Sequence, residues 1–128
     1  MLPPANRLRK EKEIKRVLAG KKSCKSGLLI CKTAPNGLEA ARFCFVVSKR
    51  ISNKAVVRNK LKRRLRRIVA GLLPRVRVSD YVFVACPGLE LKEFNGLRDN
   101  VGKVLIDLGV INRDGVFLFV NLKQNESI

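Results

Sequence analysis

The sequence predicts an α+β fold in which helices pack on one small central β-sheet, in the order α-β-β-α-β-α, with a further β run near the C-terminus. Three observations predict it. Apolar residues recur at helical spacing in three separate stretches. Short runs dense in Phe, Val and Ile lie between them. Turn residues, Pro35-Asn36-Gly37 and Pro87-Gly88, fall at the joints. With 128 residues, 46% of them apolar, the chain suffices for a single domain with a real core, spanning about residues 6–108 and followed by an extension over 109–128.

The elements follow in order. From Lys10 to Ala19, Ile14, Val17 and Leu18 share one side of a helix, and Gly20 suits its end. Leu28 to Cys31 forms a short apolar strand. Ala41 to Val47 forms a second, and the two pair as a hairpin across the Pro35–Gly37 turn. A long helix then runs from Lys54 to Leu73, with Ser52 or Asn53 supplying the N-cap oxygen. Val57, Leu61, Leu65, Ile68, Val69 and Leu72 make its apolar stripe. Gly71 and Pro74 mark its end. Asp80 to Cys86 is a third strand, and Phe94, Leu97, Val101, Val104, Leu105 and Leu108 line a third helix that ends at Gly109. Gly115 to Val120 reads as an extra edge strand. The strand aromatics Phe43, Phe45, Tyr81, Phe83, Phe117 and Phe119 read as core, with stacking on single-stranded bases as the alternative.

Charge is segregated. Residues 1–32 hold ten basic and two acidic side chains, residues 40–79 hold thirteen and none, and residues 80–128 hold five and seven. The excess of the +18 net charge therefore sits in the first two-thirds. Such one-sided repulsion is offset by a polyanion partner, and RNA or DNA is the leading class. There is no His, so His-based catalysis and His-ligated metals are excluded. Cys24, Cys31, Cys44 and Cys86 show no CxxC spacing, which argues against structural zinc, and Cys44 reads as a small buried hydrophobe. The chain opens without an apolar secretory segment and holds no run near membrane-span length. A cytoplasmic protein with reduced thiols, with no membrane partner, is the expectation.

The densest basic run carries the function. Ten of the nineteen residues from Lys49 to Arg67 are Lys or Arg, and none is acidic. On the long helix Arg58, Lys62 and Arg66 line one edge, Asn59 and Arg63 face away from the apolar stripe, and Lys60 and Arg64 flank the other edge. Arg forks match phosphate oxygens. Asn59 adds a neutral donor and acceptor for a phosphate, a 2′-hydroxyl or a base edge. A solvated helix normally mixes in Glu for i,i+4 pairs. This one gives up that support, as an anion-binding helix does. Asp80, Asp99 and Asp107 are isolated in sequence, so no paired-carboxylate metal site for a self-sufficient nuclease is legible.

These residues resemble the protein subunit of bacterial ribonuclease P. The resemblance lies in Val47-Ser48-Lys49-Arg50, in Lys54 to Asn59, and in the spacing R-N-x-x-K-R-x-x-R at Arg58, Asn59, Lys62, Arg63 and Arg66. Asn6-Arg7-Leu8, the early helix ending at Gly20, and Asp80-Tyr81-Val82 before the last helix add to it. It covers about residues 6–108. It implies a fold like the second domain of a small-subunit ribosomal protein, with a left-handed βαβ crossover, an exception to the usual hand. It implies that the protein joins a large catalytic RNA that removes the 5′ leader of precursor tRNA. The chemistry is carried by the RNA with Mg²⁺, and the chain itself holds no catalytic residue. RNA binding falls to Lys49, Arg50, Lys54, Arg58, Asn59, Lys62, Arg63 and Arg66. A cleft between the first helix and the sheet takes the leader, with Ile14, Leu18, Cys31 and Ser48 as its residues. Relatives commonly place aromatics where Ile14, Leu18 and Cys31 stand, so apolar packing and Lys49, Arg50 and Arg58 carry leader contact here. Arg67 stands where many relatives have Glu, and the segment after Gly109 has no counterpart. The alternatives are a ribosomal or RNA-assembly protein, against which the ordered signature argues, and a DNA-binding regulator, for which helix-turn-helix organisation is missing.

Overall fold

Ile14, Val17 and Leu18 gather on one side of a nine-residue helix, α1 (Glu11–Ala19), in the computed structural model of the chain, which describes residues 2–111. Glu11 and Glu13 in its first turn complement the helix dipole. The chain then forms β1 (Ser23–Ser26), β2 (Leu29–Ala34), β3 (Arg42–Val46), α2 (Ala55–Leu72), β4 (Asp80–Ala85) and α3 (Phe94–Leu108). The Gly115–Val120 strand expected from the sequence, with Phe117 and Phe119, lies outside the described residues. Among the described residues no helix is long and apolar enough to cross a membrane.

The four strands lie in the order β1-β2-β4-β3. The expected hairpin between the Leu28–Cys31 and Ala41–Val47 runs is therefore wrong. β4 sits between them, antiparallel to β2 and parallel to β3. Its residues Tyr81, Val82 and Phe83 are at most 1% exposed. A strand this apolar is buried on both faces only at the centre of a sheet, which displaces β2 and β3 to its two sides. The β3-α2-β4 unit is the parallel crossover that the resemblance implied.

β1 escaped sequence analysis because Ser-Cys-Lys-Ser carries no apolar alternation. It is an edge strand, paired only with β2 through a tight turn at Gly27, whose φ is +58°. Asn100 of α3 holds that turn. Its Nδ2 donates to the Ser26 carbonyl at 2.6 Å, and its Oδ1 accepts from the Leu28 N–H at 3.4 Å. β2 also runs three residues beyond the expected Cys31, because Thr33 and Ala34 stay paired with Tyr81 and Asp80.

α1 covers one face of the sheet, while α2 and α3 cover the other. On the α2/α3 face Leu29, Cys31, Phe43, Phe45, Tyr81 and Phe83 join Leu61, Leu65, Val69, Leu97, Val101 and Leu105 in the main core. The Phe43 and Tyr81 rings stack with centroids 5.0 Å apart, and Phe45 and Phe83 at 5.6 Å. Burying each such ring contributes about 2–3 kcal/mol. On the α1 face a smaller cluster forms around Leu8, Val17 and Val82. Leu8 arrives there beside β3, where its N–H donates to the Phe43 carbonyl at 2.9 Å.

Candidate nucleic-acid interface

The α2 stripe docks largely as its spacing predicts. Leu61, Leu65, Ile68, Val69 and Leu72 are buried, and Val57 is half-buried. The expected N-cap is corrected. Lys54 occupies that position, and no side chain caps the helix. Ser52 acts just outside it, where its Oγ accepts from the Lys54 N–H at 3.1 Å. Its carbonyl accepts from Arg58 Nη1 at 2.8 Å. The Arg58 guanidinium thus ties the first turn of α2 back to the incoming chain.

With its apolar side fixed, α2 turns its cations outward. Asn59, Lys60, Arg63 and Arg67 are exposed, and Arg58, Lys62, Arg64 and Arg66 are half-buried. Lys49, Arg50 and Lys54 are exposed on the connection into the helix. A groove of about 1140 Å³ runs between α2 and the N-terminal segment. Its walls carry eight cations and no carboxylate: Lys60, Lys62, Arg63, Arg64, Arg66 and Arg67 from α2, and Arg7 and Arg9 opposite. The two N-terminal arginines were not among the RNA-binding residues expected from the sequence. Only the pairing of their segment with β3 brings them to α2.

Cys44 opens into this groove and is half-buried, contrary to its reading as a core hydrophobe. Burial pushes its thiol pKa up, and the positive charges of Lys62 and Arg66 pull it partly back. Arg67 places its guanidinium carbon 5.6 Å from the centre of the Phe94 ring, a cation–π contact that holds it at the rim.

The sheet face under α1 forms a second candidate surface, and register defines it. Paired residues share a face, so the row Lys25–Ile30–Val84–Val46 lies on the α1 side. Ile14 and Leu18 of α1 are half-buried above the same face. Cys31 is not there. It pairs in the row Cys24–Cys31–Phe83–Phe45, is fully buried in the α2/α3 core, and cannot line the cleft. The continuous apolar run Leu28–Cys31 hides which residues face which side. The floor belongs to Ile30, Val84 and Val46, each half-buried. Ser48 is exposed beyond the end of β3, where its Oγ accepts from the Arg50 N–H at 3.3 Å and its carbonyl from the Ile51 N–H at 3.0 Å. It shapes the turn that presents Lys49 and Arg50.

Polar anchors fix the height of α1 above this floor. Lys32 Nζ donates to the Leu18 carbonyl at 2.9 Å. At the other end Asp80 is fully buried and accepts from Arg42, Arg16 and Asn36. Arg42 also bonds Glu13 of α1 at 2.8 Å. Burial alone would raise the Asp80 pKa, but the Arg42 and Asn36 hydrogen bonds and the Arg16 charge outweigh it and hold the carboxyl below its ordinary value. Glu13 is lowered chiefly by its hydrogen bond from Arg42. Asp80 is the only buried carboxylate among the described residues, and its oxygens are engaged by these cations and the Asn36 amide. No group of three or more His, Cys, Asp or Glu is placed to hold a metal ion among the described residues.

The comparisons with known proteins converge on one family. The family described as Ribonuclease P matches residues 2–109. The ribonuclease P protein component of Roseiflexus castenholzii is 36% identical over 109 residues, covering 84% of this chain and 88% of the relative. That of Syntrophomonas wolfei is 31% identical over 115 residues, covering 89% and 96%. The structure of the Thermotoga maritima RNase P protein, in complex with 1-(4-fluorophenyl)-2-thiourea, superposes with a TM-score of 0.72 at 26% identity, over 77% of this chain and 96% of that one. The Staphylococcus aureus RNase P protein at 22% identity shares the fold, with a TM-score of 0.78 over 84% of this chain and 98% of that one. A four-stranded sheet carrying a cation-lined α2, matched along nearly its whole described length, therefore has one home: the chain belongs to the ribonuclease P protein family.

Proposed function

We propose that this chain is the protein subunit of a ribonuclease P holoenzyme and promotes removal of the 5′ leader from precursor tRNA. It does so by binding the catalytic RNA and the leader. The observation that carries the reading is the eight-cation groove without a carboxylate, built on a helix whose other side is locked in the core. A rigid helix sets its charges at fixed spacing, which favours a folded phosphate backbone over a loose polyanion. Lys49, Arg50, Lys54, Arg58, Asn59, Lys62, Arg63 and Arg66 hold the catalytic RNA, joined by Arg7 and Arg9 across the groove. The leader lies under α1, on the aliphatic floor of Ile30, Val84 and Val46 beside Ile14 and Leu18.

Mg²⁺ enters this reading through the RNA and its substrate. The residues of this chain fit the ion poorly, since Asp80 is saturated by cations and an amide. When bound to the RNA, the metal supplies the Lewis acidity for phosphodiester hydrolysis. The protein's own part is to bind, orient and neutralise phosphate charge. Its place is the cytoplasm, in keeping with four free thiols.

Reconstitution tests the reading. The purified chain added to its catalytic RNA at low Mg²⁺ is expected to stimulate precursor tRNA cleavage. Cleavage that stays at the RNA-only rate refutes the proposal. A chain that binds structured RNAs indiscriminately without stimulation would instead support a ribosomal or assembly role.

A further inference from the structure

Three aromatic residues line the cationic groove: Phe43, Phe45 and Phe94. Their surroundings differ. Phe43 and Phe45 are 2% and 8% exposed, and their rings stack on Tyr81 and Phe83 inside the core. They have almost no surface left for a ligand. Phe94 is the first residue of α3 and is half-buried. It packs on the edge of the main core and also lines the groove. Glu93 before it is exposed, but it is not among the groove's lining residues.

Arg67 stands beside this ring, its guanidinium carbon 5.6 Å from the ring centre. The side chain is exposed, so the contact places the cation at the surface without taking it out of water. Arg63 and Arg64, one helical turn back, line the same groove. A nucleic acid lying there meets two chemistries. The cations take phosphates. An open ring takes a base, because every base has an aromatic face, and a neighbouring guanidinium adds a second planar surface on which bases stack. Core packing accounts for the buried half of Phe94. It gives no account of an open half set among arginines.

We propose that Phe94, with Arg67 beside it, is a stacking site for one unpaired base of the catalytic RNA. The site carries the RNA interface from α2 onto α3. It rests on the catalytic-RNA reading above and adds to it a contact that charge does not provide. A paired RNA helix keeps its base faces stacked inside, so the ring favours an RNA that presents an unstacked nucleotide at this point.

The chain has no tryptophan, so Phe94→Trp places a single indole at the site. The test titrates wild type, Phe94→Leu, Phe94→Trp, Arg67→Ala, Arg63→Ala and Lys103→Ala with the catalytic RNA, without substrate, at several salt concentrations. Lys103 is an exposed charge on α3 away from the groove lining. Phe94→Leu is expected to weaken binding about tenfold with an unchanged salt slope, since the ring neutralises no phosphate. Phe94→Trp should bind at least as tightly as wild type, and its emission should be quenched as RNA is added. Arg67→Ala should weaken binding and also lower the salt slope by about 0.7–0.9. Melting curves check each fold, and if Phe94→Leu melts early, the Phe94→Trp emission decides. Phe94→Leu binding at wild-type strength overturns the site. A Phe94→Leu loss that carries the reduced salt slope of Arg67→Ala overturns it too, because the ring then acts only by placing the cation. Emission that ignores the catalytic RNA, or responds only once precursor tRNA is added, overturns the assignment of the base to that RNA. A normal loss in Arg63→Ala beside an intact Phe94→Leu removes the stacking site alone. Arg63→Ala binding as tightly as Lys103→Ala removes the reading beneath it.

Discussion

Arg42 and Asp80 are direct partners across the parallel β3–β4 pair, and their side chains repeat that pairing as a fork: Arg42 Nε lies 2.8 Å from Asp80 Oδ1 and Nη2 lies 2.7 Å from Oδ2. The same guanidinium reaches Glu13, and the same carboxylate accepts from Arg16 and Asn36. One ion cluster around the buried Asp80 carboxylate thus joins α1, β3, β4 and the turn after β2. It holds α1 against this face of the sheet.

Asp80→Asn is expected to destabilise the fold by about 3 kcal/mol, because it leaves Arg42 without its buried partner. Urea unfolding followed by circular dichroism measures the loss. A midpoint equal to wild type would show that the cluster contributes nothing to stability.

The folded chain holds Asp80 and Glu13 below their ordinary pKa values. The unfolded chain therefore takes up protons first on acidification. The stabilisation is complete above the unfolded carboxylate range, about pH 4, and is lost as pH falls through the lower folded values. Unfolding free energy measured from pH 7 to pH 2 should fall in that acid window, and Asp80→Asn should flatten the fall.

Arg63→Ala removes an exposed cation from α2 without touching the core, so RNA binding weakens while the melting temperature holds. Arg58→Ala costs more, since it also breaks the bond to the Ser52 carbonyl that ties down the first turn. Each variant should reduce the salt dependence of binding to the catalytic RNA by about 0.7–0.9 in log K per log salt for each phosphate left without its cation. Lys103→Ala is the control, and losses equal to its own would mean the charge acts without place.

Ile30→Phe and Cys31→Phe separate the two faces of β2. An aromatic at position 30 adds a stacking surface to the cleft floor and should tighten leader binding by about 1–3 kcal/mol. An aromatic at position 31 overpacks the core beneath α2 and α3 and should destabilise the fold by about 1–3 kcal/mol. Affinity for precursor tRNA and thermal melts, taken together, check both. The reverse pattern would put Cys31 on the cleft side.

The sequence by itself determined the three helices, the strongest strands and the basic character of α2. Those features are local: helical spacing of apolar residues, dense Phe and Val runs, and the absence of acids between residues 40 and 79 can each be read over a few turns of chain. The R-N-x-x-K-R-x-x-R spacing is local too, and it pointed to the family. Tertiary structure alone decided the strand order, because the two-sided burial of β4 competes with every nearer pairing. It decided the existence of β1, whose polar residues form a strand only because β2 and Asn100 hold them. It decided the sides of β2 as well. A one-residue change of register exchanges the two faces of a strand, and the uniform apolar run from Leu28 to Cys31 offers no polar residue to mark which face is which. The groove is likewise a product of packing, since Arg7 and Arg9 meet Arg63 and Arg66 across more than fifty residues of chain only after the N-terminal segment settles beside β3.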